Sequence, residues 1–207
     1  MKSFFKKNVI EAGLDEVARG CLFGRVYSAV VIWRSDKDLD NLLKELNIKK
    51  MTIIDSKKLK PQKRKELRDY IETVALDYSV AWSSHKEIDK YNIRNATFKA
   101  MHRSLDNLIL KPKSLIVDGN DFEIYKMINH KCIIKGDDSY TSIAAASILA
   151  KVYHDEYIYD LINENTDLKK YDIHNNMGYG TKKHIDAIKK YGITNYHRKT
   201  FGICKLY

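Results

Sequence analysis

The sequence predicts an α/β fold in which a mixed five-stranded sheet carries helices on its faces and ends in a helical C-terminal extension. Three observations lead there. Five short runs rich in β-branched residues alternate with stretches of helical periodicity. The first two runs are too close in sequence to be joined by a crossover and must pair antiparallel. A chain of 207 residues, 44% hydrophobic and with two prolines, has enough apolar material for one sizeable core. Residues 1–207 are therefore read as a single domain, with about residues 160–207 forming the extension.

Residues 9–16 and Arg25 to Trp33 read as strands joined by the Gly-containing turn Val17 to Gly24. Pro61 suits a first helical position, and Leu67, Tyr70, Ile71 and Val74 then recur on one face. Tyr78 to Ser83 returns as a strand. Asn92 can cap a second helix whose apolar face is Ile93, Ala96, Ala100, Met101, Leu105 and Leu108. Leu115 to Asp118 and Cys132 to Ile134 are the last two strands. From Ser142 to Lys151 a helix opens with small residues that permit close packing on the sheet. A final helix runs from a Thr181 cap to a Gly192 stop, with Ile185 and Ile188 facing inward. Repeats, low-complexity segments and linkers are absent from the sequence.

Lys+Arg 37 against Asp+Glu 27 gives a formal net charge of +10, which suits a polyanionic partner. Cys21, Cys132 and Cys204 lack metal-like spacing and are odd in number, so they are expected to be reduced and buried. The N-terminus lacks an apolar stretch long enough for a signal peptide, and nothing later approaches a membrane span. The cytoplasm is the expected location, and a monomer the expected state.

Against this positive background stand four carboxylates at the ends of apolar runs. Asp15 and Glu16 end the first strand and Asp118 the fourth, and Asp137 follows the fifth. Adjacent strand ends would gather them, and such a cluster needs cations. Oxygen ligands without a His or Cys set favour a hard ion, Mg²⁺ or Mn²⁺, over zinc. Two such ions can serve in-line displacement at phosphorus, with Asp15 as the ligand shared between them. Asp138 competes with Asp137 for the last place, whereas Asp155 lies well into a helix and reads as a surface charge.

Six motifs recur here in an order and spacing that resemble type 2 ribonuclease H, ribonuclease HII. They are Asp15-Glu16-Val17-Ala18-Arg19-Gly20, Asp55-Ser56-Lys57-Lys58-Leu59, Val117-Asp118-Gly119-Asn120, Lys135-Gly136-Asp137, Ile143 to Val152, and Gly178-Tyr179-Gly180-Thr181. The likeness extends from about residue 9 to His197-Arg198-Lys199-Thr200-Phe201. It implies the ribonuclease H-like fold. It also implies an endonuclease that cuts the RNA strand of RNA–DNA hybrids and the 5′ side of ribonucleotides embedded in duplex DNA, leaving a 3′-hydroxyl and a 5′-phosphate. Ribonucleotide excision and RNA primer removal are the corresponding roles. Family register selects Asp137 over Asp138.

The resemblance also assigns substrate contacts. Tyr179 would pack on the sugar after the ribonucleotide and direct its hydroxyl to the 2′-OH, the group that separates RNA from DNA. The Ala18-Arg19-Gly20 turn would supply backbone groups to the same ribose. Lys57, Lys58, Ser147, Lys151 and Arg198 are candidate phosphate contacts, and His184 and His197 read as structural. The turn departs from the family pattern: Ala18 stands where Gly is usual, Cys21 where Pro is usual, and Phe23 and Arg25 replace a small residue and a Pro. Either Ala18 is strained at positive φ, with a penalty falling on the single-ribonucleotide substrate, or it sits at negative φ in a reshaped turn. Two other readings stay open at this point: a ribonuclease H-fold nuclease of different specificity, ribonuclease HIII-like or acting on DNA, and a non-catalytic nucleic-acid-binding module.

Overall fold

The computed structural model describes residues 1–6, 8–54 and 56–207. Its sheet has five strands: β1 (Glu11–Val17), β2 (Val26–Ile32), β3 (Asp77–Ser83), β4 (Ser114–Asp118) and β5 (Asn129–Ile133), in spatial order β3-β2-β1-β4-β5. The pairs β1/β2 and β2/β3 are antiparallel, and β1/β4 and β4/β5 are parallel, so the sheet is mixed as expected. Strand bounds differ from the sequence reading by a few residues. Val9 and Ile10 lie before β1, and Ile134, 74% exposed, falls outside β5.

The helices are α1 (Asp36–Glu45), α2 (Pro61–Val74), α3 (His85–Asp106), α4 (Gly136–Ser139), α5 (Thr141–Glu164), α6 (Ile173–Asn176) and α7 (Lys182–Tyr191). Pro61 is the first residue of α2, and Leu67, Ile71 and Val74 are fully buried. Burying each stabilises by about 1.5–3 kcal/mol, which so polar a helix needs because its own propensity is marginal. Asn92 does cap a helical segment: its side chain accepts from the Asn95 amide at 3.0 Å while its own φ is 64°. A short helical turn capped by Ser84 precedes it, so α3 is two segments joined at a kink. Leu108 is buried but follows the end of α3. Helix α1 was not foreseen, although a Ser35 cap ahead of Leu39, Leu42 and Leu43 is a legible start signal.

Helices α2 and α5 cover one face of the sheet, against Ala29 and Val31, and α3 covers the other, against Leu14, Val30 and Val117. Alternation along β1 therefore puts Gly13 and Asp15 under α5, and Leu14 and Glu16 on the α3 side. A Cβ on Gly13 would lie 2.6 Å from the Ser142 carbonyl carbon and 2.7 Å from the Ile143 amide nitrogen. Only glycine lets α5 lie this close, and Ala144, Ala145, Ala146 and Ala150 complete the fit. Residues 165–207 fold as short helices around Leu168, Tyr171, Ile173 and Ile188, packing on the end of α5 and on Leu22 and Phe23 of the β1–β2 turn. Among the described residues no helix is long and apolar enough to cross a membrane. All three cysteines are free; Cys21 and Cys204 are buried, whereas Cys132, on the outermost strand β5, is only half-buried, contrary to expectation.

Candidate active site

Two neighbouring strands and the corner after a third deliver three aspartates. The β1–β4 register pairs Leu14 with Val117, so Asp15 and Asp118 follow side by side on the α5 face. Asp137 comes from beyond β5, not from the strand end itself: Lys135, at φ 55°, turns the chain into α4, whose first turn carries the acid. Gly136 tightens this corner, its amide donating to Asp118 Oδ1 at 2.7 Å, and a Cβ there would lie 2.6 Å from Ile143 Cδ1. Carboxylate oxygens of Asp15, Asp118 and Asp137 all lie within 4.8 Å of one another. Asp137 is turned inward, 4% exposed, while its neighbour Asp138 is exposed and paired with Lys58. Glu16 lines the same cleft of about 220 Å³ but stays outside this triangle, bonded to Arg19 at 3.1 Å.

Crowded acids raise one another's pKa. Burial, with repulsion from Glu16 and Asp118, holds the Asp15 carboxyl well above the usual carboxylate range. Burial raises Glu16, and burial with the charge of Asp137 raises Asp118 despite the Gly136 amide. An all-oxygen donor set that is costly to ionise by itself fits a hard divalent cation, whose charge would repay the repulsion.

The basic candidates divide. Lys57 bonds Asp137 Oδ2 at 3.1 Å, and Lys57 and Lys151 both line the cleft. Ser147 is buried beside the acids, its hydroxyl 3.0 Å from Ser56 Oγ and near enough to Asp15 to favour the ionised carboxylate. Asp155 is not the surface charge the sequence suggested. Its side chain is 17% exposed, accepts from Lys151 at 2.8 Å and lies 3.7 Å from Arg64 Nη2. Burial opposes its ionisation, yet the His154 hydrogen bond and the Lys151 charge hold its pKa below the usual range. Arg64, missed in the sequence, also bonds the Ser56 and Leu59 carbonyls and so ties the Lys57 loop to α2. No local signal distinguishes it among 37 basic residues. Asp55 lies outside the described residues.

The turn after β1 forms the other wall. Ala18 has φ 70° and is 2% exposed, so the glycine-like conformation is kept with alanine in it. Tyr179, 39% exposed, stands over Gly20; the Ala18 amide and the Cys21 thiol flank its hydroxyl, and burial pushes its pKa up to about 12. Arg198 is no phosphate contact. It is fully buried and donates to four backbone carbonyls of the turn, because the C-terminal segment passes beneath it.

His184 and His197 are structural, and their protons can be assigned. The Thr194 amide donates to His197 Nδ1 at 2.9 Å, so that ring carries its proton on Nε2. It donates to His184 Nε2 at 3.1 Å, and His184 Nδ1–H then donates to the Tyr179 carbonyl at 2.9 Å. Both rings must be neutral. Burial and the neighbouring ring push the His197 pKa down to about 3, and burial lowers that of His184.

Comparison with known proteins agrees with this geometry. Residues 12–204 match the model of the family described as Ribonuclease HII. The Ribonuclease HII of Bacteroides thetaiotaomicron is 48% identical over 200 residues, covering 97% of this chain and 93% of its own. Among solved structures, the ribonuclease H2 of Pyrococcus horikoshii OT3 superposes with a TM-score of 0.73 at 24% identity, covering 95% of each chain. A Bst ribonuclease HIII in complex with Mn²⁺ superposes at 0.66 and 17% identity, over 94% of this chain and 68% of that one. These two share the fold. The family match and the near full-length relative establish that this chain belongs to the ribonuclease HII family and is an endoribonuclease of the ribonuclease H class.

Proposed function

We propose that this chain hydrolyses the RNA strand of RNA–DNA hybrids and cuts on the 5′ side of ribonucleotides embedded in duplex DNA, leaving 3′-hydroxyl and 5′-phosphate ends. Ribonucleotide excision and primer removal are the roles that fit. The observation that carries the reading is the convergence of Asp15, Asp118 and Asp137 beside the turn and tyrosine that resemble a ribose-reading pair. Asp15, Asp118 and Asp137, with Glu16 at the rim, would hold two Mg²⁺ or Mn²⁺ ions. Bound there, the ions would supply a nucleophilic water and neutralise charge at the scissile phosphate.

The protein's own groups do the rest. The Glu16 amide, donating to Asp15 Oδ1 at 2.7 Å, and the Gly136 amide fix the orientation of Asp15 and Asp118. Lys57 and Lys151, both lining the cleft, meet the phosphates that flank the scissile one, and Asp155 with Arg64 keeps Lys151 from swinging to solvent. Tyr179 and the outward side of the turn meet the ribose. A duplex with one embedded ribonucleotide and an all-RNA hybrid, cleaved side by side and mapped at the products, test this directly. Cleavage should require Mg²⁺ or Mn²⁺ and leave 3′-hydroxyl ends. Activity in excess EDTA, or 3′-phosphate products, would refute it.

A further inference from the structure

Arg198 poses a question that its burial sharpens. A guanidinium with no exposed surface normally meets a carboxylate, yet among the described residues none lies within ion-pair distance. Four of its five donors go to main-chain carbonyls: Nη2 to Ala18 and Arg25 at 2.8 and 3.0 Å, Nη1 to Arg19 at 2.9 Å, and Nε to Gly24 at 3.0 Å. These are the two ends of the β1–β2 turn. Its own backbone is fixed as well, for its amide donates to the Leu22 carbonyl at 2.8 Å, and Asp89 holds the Lys199 and Thr200 amides at 3.0 and 2.9 Å.

Bonding two consecutive carbonyls has a geometric consequence. Peptide units are planar and, in the described residues, all trans, so each N–H points opposite to the C=O of the same unit. With the Ala18 and Arg19 carbonyls drawn down to Arg198, the Arg19 and Gly20 amides must point away from it. Both residues are exposed, both amides lack an acceptor among the described residues, and Gly20 lies against Tyr179. Two adjacent outward N–H groups are a concave acceptor-binding unit.

We propose that Arg198 is the positioning residue of the recognition turn: by holding the Ala18 and Arg19 carbonyls it aims the Arg19 and Gly20 amides at the ribose 2′-oxygen, and so sets the preference for ribonucleotides. This rests on the reading of the turn as ribose-facing given above. Lysine cannot replace it, since an ammonium is a point charge and cannot span four separated carbonyls as a planar fork does.

The test compares wild type with Arg198→Lys on a duplex holding one ribonucleotide, with an all-DNA duplex of the same sequence as competitive inhibitor. The variant should lose about tenfold or more in kcat on the ribonucleotide substrate, the worth of one or two neutral hydrogen bonds. KM, the inhibition constant of the all-DNA duplex and its salt dependence should stay within about twofold. A rise in both constants with a salt slope shallower by about one would make Arg198 a phosphate contact after all and overturn the proposal; unchanged kcat would also overturn it. If the variant does not fold, amide NMR of the wild type in EDTA decides. The Arg19 and Gly20 signals should move on adding the ribonucleotide duplex and not the all-DNA one, and equal shifts with both would refute the assignment. A wild type that fails to cleave at the ribonucleotide would instead sink the functional reading itself, whatever the variant does.

Discussion

Replacing Ala18 by glycine separates strain carried by the free protein from strain imposed at binding. Alanine at φ 70° is disfavoured by about 1–2 kcal/mol relative to glycine. Glycine, however, gives up about 0.4–1 kcal/mol through the greater freedom of its unfolded chain, and removing a methyl that is 2% exposed costs about 0.8 kcal/mol more. The three nearly cancel. Ala18→Gly should therefore shift stability by less than about 1 kcal/mol, or about 3 °C in Tm for a chain of this size. Activity follows from the same geometry. Arg198 bonds the Ala18 and Arg19 carbonyls, so the left-handed conformation is already set before substrate arrives, and the buried methyl does not face the cleft. The strain is thus common to free and bound states and cancels in kcat/KM. Single-ribonucleotide and hybrid substrates should each change by less than about threefold. A rise of tenfold or more confined to the single-ribonucleotide substrate would refute this reasoning and show that the turn must move to bind.

Three further outcomes are expected. Asp137→Asn should lower kcat on both substrates by about two to three orders of magnitude while leaving substrate binding measurable, because it removes a ligand charge but keeps the shape. Its Tm should not fall, since the partner Lys57 is largely exposed and Asp118 is relieved of a like charge; near-wild-type turnover would exclude Asp137 from the metal set. Gly13→Ala should destabilise by about 1–3 kcal/mol and depress kcat, because α5 would have to retreat by several tenths of an ångström from the strand that carries Asp15. An unaltered melting curve would show that the helix can yield. Finally, His197 is neutral in the fold with its pKa near 3, whereas the unfolded chain protonates at about 6.5. Stability from this group is complete above pH 6.5 and is lost as pH falls, by up to about 1.4 kcal/mol per unit. Denaturant unfolding between pH 7 and 5 should show this slope in the wild type and a shallower one in His197→Gln; identical slopes would disprove the neutral relay.

What the sequence determined by itself is what short-range physics determines. Period-2 and period-3.6 patterns, Pro61 at a helix start, the Asn92 and Thr181 caps and the Gly192 stop concern neighbours within a few residues, and each was legible. The acids could be nominated because carboxylates at the ends of β-rich runs are few, and the motif order that resembles ribonuclease HII selected among them. What only the tertiary structure decided depends on partners far away in sequence. Asp155 looks like an exposed helix charge until Arg64, from another helix, reaches it. Arg198 looks like any basic residue of a cationic surface, since nothing within its own segment says that four carbonyls some 175 positions earlier will draw it inside. The sign of the Ala18 φ was likewise open to either reading, because an alanine in isolation prefers the right-handed region by a margin that one buried guanidinium bonded to its carbonyl can overcome. Local preference is worth fractions of a kilocalorie to about two per residue, and a buried polar group left unpaired costs as much or more, so where the two conflict the chain far away prevails.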